Sequence, residues 1–249
     1  MPDNIPDAAV PRSPVTIDDV LAASYTNVQA PPPMTALNSA LLLIDIQHLA
    51  APDYLHDLAV KSGLPSDEVR KALSDYDARF NAAVAQARRV LEKAREVGIP
   101  PIHVKIQTLS HQGRDTGALH RRMGWLYPPN SAATKFLDAT KPAPDEIVIT
   151  KTSSGAFSGT SLDATLRNMG IDYLFVCGFV TDECVETTVR VALDLGYLTM
   201  VIEDATQTYK AEAHLATIHQ LSAYGITQSA DDTITAFGQV ASVQQAGAG

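Results

Sequence analysis

From Ala40 onward the apolar residues fall into two alternating patterns. Short continuous runs, "ALLLID", "PIHVKI", "EIVIT", "YLFVCG" and "LTMVIED", read as buried strands, and "ITQS" reads as a sixth. Between them apolar positions recur three or four residues apart. Phe80, Val84, Ala87 and Leu91 mark one helix, closed by "VGIP". Leu162, Leu166 and Met169 mark a second, stopped by Gly170. Val185, Val189 and Ala192 mark a third, stopped by Gly196. Ala211, Leu215, Ile218 and Leu221 mark a fourth, stopped by Gly225, and "DDTITAF" opens a last one. Strands and helices in strict alternation predict an α/β fold, a parallel sheet with helices on both faces.

Two stretches break the pattern. Residues 1–35 are proline-rich, with "PDNIPDAAVPRSP" and "APPPM" flanking "TIDDVLAASY", a short helix that Thr16 is placed to cap. This segment is expected to be an N-terminal arm, with residues 36–249 forming one domain. The second stretch, from about Ser110 to Asp145, has weak periodicity and four prolines. It reads as a long surface excursion near the site.

Composition narrows the function. The 249 residues carry 19 Lys and Arg against 28 Asp and Glu, a formal charge of -9, which argues against a nucleic-acid partner. No apolar run is long enough to span a membrane. The two cysteines cannot make a disulfide framework, and the first residues lack the basic start and apolar core of a signal peptide. A cytoplasmic protein is expected.

In an open parallel sheet, ligands sit beyond the carboxyl ends of the strands. The polar residues there are Asp45 after the first strand, Lys151 after the third, Cys184 after the fourth, and Glu203 and Asp204 after the fifth. Cys184 falls in the first turn of a helix, where unpaired N–H groups favour a thiolate. It is a candidate nucleophile or a small buried hydrophobe. Asp182 and Glu183 would oppose the thiolate and are expected to face away or cap the helix. Cys177, in mid-strand, reads as filler. Asp45 is a candidate base or a structural carboxylate, and Lys151 a partner cation or a solvated charge. The seven histidines show no zinc-like spacing and are read as structural or surface residues, and "HRRMGW" as a surface or lid patch.

Three blocks, "LLLIDIQ", "ITKTSSGAFSGTSLDATLRNMGI" and "VCGFVTDECVETTVRVALDLGY", stand in order along the chain. Together they resemble the isochorismatase-like cysteine hydrolases, which include nicotinamidases and N-carbamoylsarcosine, ureidoacrylate and biuret hydrolases. The resemblance runs from about Ala40 to Ala236. It implies a Rossmann-like three-layer α/β/α fold with six parallel strands, the first and fourth side by side. It implies a triad of Asp45, Lys151 and Cys184, a cis peptide between Phe179 and Val180, and an oxyanion hole from the N–H groups of Val180 and Cys184. Gln47, Gln107, Phe157, Phe179, Thr181 and Tyr224 are the candidate substrate contacts. Ile106 and Thr108 stand where nicotinamidases carry a metal-binding Asp-x-His pair, so neither metal nor cofactor is expected. True isochorismatases lack the cysteine. Biuret hydrolases have a glutamine where this chain has Tyr224. The expectation is a cysteine amidohydrolase of a small amide or ureide working through a thioester, in a homo-oligomer (dimer or tetramer) whose arm lies across a neighbour. A nicotinamidase-like hydrolase and a non-catalytic binding protein on the same fold are the alternatives.

Overall fold

The computed structural model describes residues 14–24, 30–222, 224 and 226–246. The chain divides into two units, residues 1–33 and 34–249. In the first, α1 (Ile17–Ser24) begins with a reciprocal cap: Asp19 N donates to Thr16 Oγ1, and Thr16 N donates to Asp19 Oδ2 at 2.8 Å. The rest of the arm, and with it the expected contact with a neighbouring subunit, lies largely outside the described residues.

The second unit is built on six parallel strands: β1 (Ser39–Ile44), β2 (Pro101–Ile106), β3 (Ile147–Lys151), β4 (Tyr173–Phe179), β5 (Leu198–Gln207) and β6 (Thr227–Gln228). Their order across the sheet is β3-β2-β1-β4-β5-β6. The chain therefore reverses its direction of travel between β1 and β4, and the crevice opens there. Alternate residues of β1 feed opposite layers. Leu41 and Leu43 join the core under α3 (Ser66–Val97) and α8 (Ala230–Ala246), where Phe80, Ala87, Leu91 and Phe237 are buried. Ala40, Leu42 and Ile44 join the other layer, with Leu162 and Leu166 of α5 (Leu162–Asn168) and Val185, Val189 and Ala192 around α6 (Glu186–Asp194). Both faces are covered, which is why these strands read as unbroken apolar runs.

Several details depart from the sequence pattern. The first marked helix is 32 residues long, ended by Gly98 at φ 79°. A helix not marked in the sequence reading, α2 (Pro52–Lys61), starts on a proline. The excursion holds the five-residue α4 (Ala118–Arg122) and two short helical turns. In α7 (Ala211–Ser222) the buried stripe is His214, Thr217 and Leu221, while Leu215 is 66% exposed. The stripe is rotated because His214 Nδ1 is hydrogen-bonded to the Thr181 hydroxyl at 2.9 Å. Glu203 and Asp204 do not follow β5 but lie inside it. The β4–β5 register slips between Val176 and Gly178, and Asp204 accepts the Ala230 N–H at the start of α8.

At Gly178 the backbones of β1 and β4 pass close together. Its φ is +123°, and a Cβ there would run into the Ile44 carbonyl. That close pairing sets the spacing between Asp45 and the turn after β4. Gly178→Ala is expected to cost on the order of 3 kcal/mol or more and to lower the melting temperature sharply. A variant that melts within a few degrees of the parent protein contradicts this account.

Candidate active site

The site is built from three strand ends and one turn. Beyond β1, Asp45 takes φ 50°, a left-handed conformation that Asp tolerates better than most residues. Its N–H bonds the Val104 carbonyl and its own carbonyl accepts from Gln47, so the bend is held on both sides. Lys151 ends β3, two strands away, and its long side chain crosses over the end of β2. Its Nζ lies 2.7 Å from Asp45 Oδ2, 2.9 Å from the Ser153 carbonyl and 3.4 Å from Cys184 Sγ. Two of the ammonium protons are donated to the Ser153 carbonyl and Cys184 Sγ, while Asp45 is held as an ion pair whose carboxylate oxygens have no aligned hydrogen bond among the described residues. Asp45 and Lys151 are each 1% exposed.

Cys184 sits one step earlier than the helix start expected from sequence. The chain leaves β4 through a cis Phe179–Val180 peptide and makes a wide π-helical turn, Thr181–Val185, before α6. The Val180 carbonyl accepts from Glu183 and Val185, while the Val180 N–H has no acceptor among the described residues. The turn is pinned from outside. Thr188 Oγ1 donates to the Cys184 carbonyl at 2.6 Å and accepts the Ala156 N–H, tying the loop after Lys151 to the helix after Cys184.

Burial dominates the electrostatics. It pushes the Asp45 carboxyl up, against the pull of Lys151. It works to depress Lys151, but Asp45 and Cys184 outweigh it and hold the ammonium charged. The Cys184 thiol is pushed up, by burial first and by Asp45 second, with Lys151 opposing. This corrects the expectation of a thiolate poised by a helix start. Burial thus disfavours charge on Asp45 and on Cys184 alike, and Lys151 opposes it at both.

Above it opens a cavity of about 260 Å³, with Asp45, Ile106, Phe179, Val180 and Cys184 at its base. Leu49, Tyr54, Leu55 and Leu58, on and just before α2, form one wall. His120, Trp125 and Tyr127 come from the excursion, and Glu183 and Tyr209 complete the rim. None of these wall residues is a substrate contact in the sequence reading, although His120 and Trp125 belong to its surface or lid patch and Tyr54, Leu55 and Leu58 stand at helical spacing. His120 belongs to the wall rather than the surface: it is 2% exposed, its ring packs on Trp125, and Nε2 is 3.4 Å from Ser154 Oγ. Glu183 faces the cavity, not away from it.

Of the other candidate contacts only Phe179 reaches the cavity. Gln47 is buried and spends its amide on backbone: Oε1 accepts from Ile106 N, and Nε2 donates to the carbonyls of Ile106 and Thr134. It clamps the excursion to the sheet. The Thr181 hydroxyl is bonded to Thr206 and His214, beneath the turn. Gln107 accepts from Lys105, and Phe157 stacks on Tyr197. Tyr224 is 63% exposed and pairs with Arg190 on the outer side of α6. Thr108 is turned to the Ser110 carbonyl. Among the described residues, no group of three or more His, Cys, Asp or Glu side chains is placed to hold a metal ion, and no helix is long and apolar enough to cross a membrane.

A parallel α/β/α sheet carrying this site at its switch point defines a hydrolase scaffold. The chain belongs to the isochorismatase family: the isochorismatase domain matches residues 39–232. It is 30% identical to the uncharacterized isochorismatase family protein YddQ of Bacillus subtilis (strain 168), over 69% of this chain and 79% of that one. A cysteine hydrolase from Pseudomonas syringae pv. phaseolicola 1448A superposes with a TM-score of 0.67 at 18% identity, over 87% of this chain and all of that one. An N-carbamoylsarcosine amidase from Thermoplasma acidophilum superposes with a TM-score of 0.57 at 22% identity, over 78% and 97% of the two chains.

The two cysteines differ in access. Cys184 lines the cavity, whereas Cys177 is fully buried in mid-strand with no opening to it. Iodoacetamide is expected to modify Cys184 in the folded protein and to leave Cys177 intact, as read by peptide mass spectrometry. Labelling of Cys177 first contradicts this.

Proposed function

We propose that the protein is a cysteine-dependent amidohydrolase that cleaves the C–N bond of a small amide through a thioester. The observation that carries this reading is the position of Lys151 Nζ, within reach of both Asp45 Oδ2 and Cys184 Sγ at the base of the cavity. A carboxylate and a thiol that share one ammonium can exchange a proton without changing the net charge of the buried group. The family's hydrolases and the amidase among its structural relatives support the reaction class.

In this reading Asp45 takes the thiol proton as Cys184 Sγ attacks the carbonyl carbon. Charge moves onto the carbonyl oxygen, toward the N–H groups of Val180 and Cys184. The C–N bond breaks, and the nitrogen leaves with the proton that Asp45 held. Water then enters, Asp45 takes its proton, and oxygen adds to the thioester carbon. The C–S bond breaks, and Asp45 returns the proton to sulfur. Lys151 remains an ammonium throughout. It holds Asp45 ionised at the start and pairs with the sulfur once the proton has moved.

Each member of the group is needed in a different way. Cys184→Ser keeps the size but weakens the nucleophile. Asp45→Asn keeps the shape but removes the base. Lys151→Ala leaves two buried acids without a cation. Each is expected to lower kcat/KM by about 10²-fold or more in an ammonia-release assay over a panel of amides. Near-normal turnover by Cys184→Ser refutes the thioester route. A folded parent protein with an alkylatable Cys184 and no turnover of any amide refutes the reaction.

A further inference from the structure

We infer that Glu183 and the aromatic walls beside it form a subsite for a positively charged group, so that the substrate is an amide carrying an organic cation such as an alkylammonium. The inference rests on the proposed amide chemistry for the reaction and on the cavity alone for the charge.

Three features of the cavity carry it. The first is its balance of charge. No Lys or Arg is among the residues that line it. Lys151 lies beneath, bonded to the Ser153 carbonyl and Cys184 Sγ and paired with Asp45 at 2.7 Å, so its charge reaches the cavity only in part. His120 is held neutral, by burial first and then by the charge of Lys151. Glu183 is therefore the one lining group among the described residues whose charge has no internal counterpart. An anionic substrate would enter against it with no cation to meet.

The second feature is the state of Glu183 itself. It is partly buried and directed to the cavity, and its carboxylate has neither an ion pair nor a hydrogen bond among the described residues. A carboxylate removed from water without a partner costs free energy, and a cation or N–H donor from a ligand offsets that cost. Burial raises its pKa first, the neighbouring Asp182 adds to this, and the more distant Lys151 opposes it without an ion pair. A bound cation acts in the opposite direction.

The third feature is the wall. Tyr54, Trp125, Tyr127 and Tyr209 all border the cavity. Tyr209 is fixed by its ring contact with Tyr76 at 5.3 Å, and Trp125 by its contact with His120 at 5.5 Å. The Tyr127 hydroxyl is near enough to Tyr54, Cys184 and Glu183 for their charges to add to the effect of burial on it. The walls and Glu183 thus surround one space above the sulfur. Aromatic faces carry negative potential and attract cations, most strongly where water is excluded. A carboxylate among aromatic rings suits an alkylammonium better than a neutral alkyl group of the same shape.

The test compares three amides with equal chain length: γ-trimethylammoniobutyramide, its neutral analogue with carbon in place of the quaternary nitrogen, and glutaramate. The cationic amide is expected to have a kcat/KM about tenfold or more above its neutral analogue, with glutaramate lowest, and Glu183→Gln is expected to remove most of that preference. Equal or inverted preference in the parent protein overturns the subsite while leaving amide hydrolysis intact. Binding of the same compounds to Cys184→Ala, measured by calorimetry, separates the two ideas. If no amide is turned over but the cationic one still binds more tightly in a Glu183-dependent way, the reaction fails and the subsite stands. If Cys184→Ala binds the cationic and neutral amides equally, the subsite fails whatever the enzyme turns over.

Discussion

The ion pair between Lys151 and Asp45 is the interaction on which the rest of the site depends. Both side chains are almost wholly buried, and each alone would cost several kcal/mol to desolvate. Together, with ammonium protons given to Ser153 and to Cys184 Sγ, they form a neutral unit in an apolar base. Removing either partner leaves an uncompensated charge, so the pair is fixed by electrostatics as much as by packing. The thiol is drawn into the same unit. Its proton is held back by burial and by Asp45, and Lys151 is in place for the moment that proton moves.

Much of the surrounding structure serves to hold that unit in register. The sheet order brings the ends of β1 and β4 together, and the absence of a side chain at Gly178 allows the two backbones to close. Asp45 stands in a left-handed bend secured by two backbone hydrogen bonds. The turn bearing Cys184 is supported from below by Thr181, Thr206 and His214, and from the side by Thr188. Gln47 ties down the long excursion that supplies His120, Trp125 and Tyr127 to the cavity. Thr188, Thr206 and Gln47 are buried against backbone groups they satisfy, Thr181 and His214 satisfy each other, and none of the five lines the cavity.

The alternation of apolar runs and helical spacing made the parallel sheet legible from sequence, since buried strands and amphipathic helices have different periods. The three blocks around Asp45, Lys151 and Cys184 pointed to the same residues that the fold gathers. The walls were legible only in part: the excursion and its "HRRMGW" patch read as lying near the site, but which of its side chains face the cavity is set by side-chain-to-backbone bonds that no pattern announces. Gln47 and Thr181 were misread as substrate contacts because a polar residue beside a catalytic motif looks the same whether it faces ligand or backbone.

The central claim is that Asp45 restrains the Cys184 proton until substrate arrives. Titration of the thiolate by its ultraviolet absorbance, in the parent protein and in Asp45→Asn, tests this most directly. Cys177 does not interfere near neutrality, because burial pushes its thiol up to about 12. The account predicts a neutral Cys184 thiol at neutral pH in the parent protein and ionisation at distinctly lower pH in Asp45→Asn, where Lys151 has only the sulfur to pair with. A parent protein that already holds a full thiolate at neutral pH, or a titration unmoved by Asp45→Asn, would contradict it.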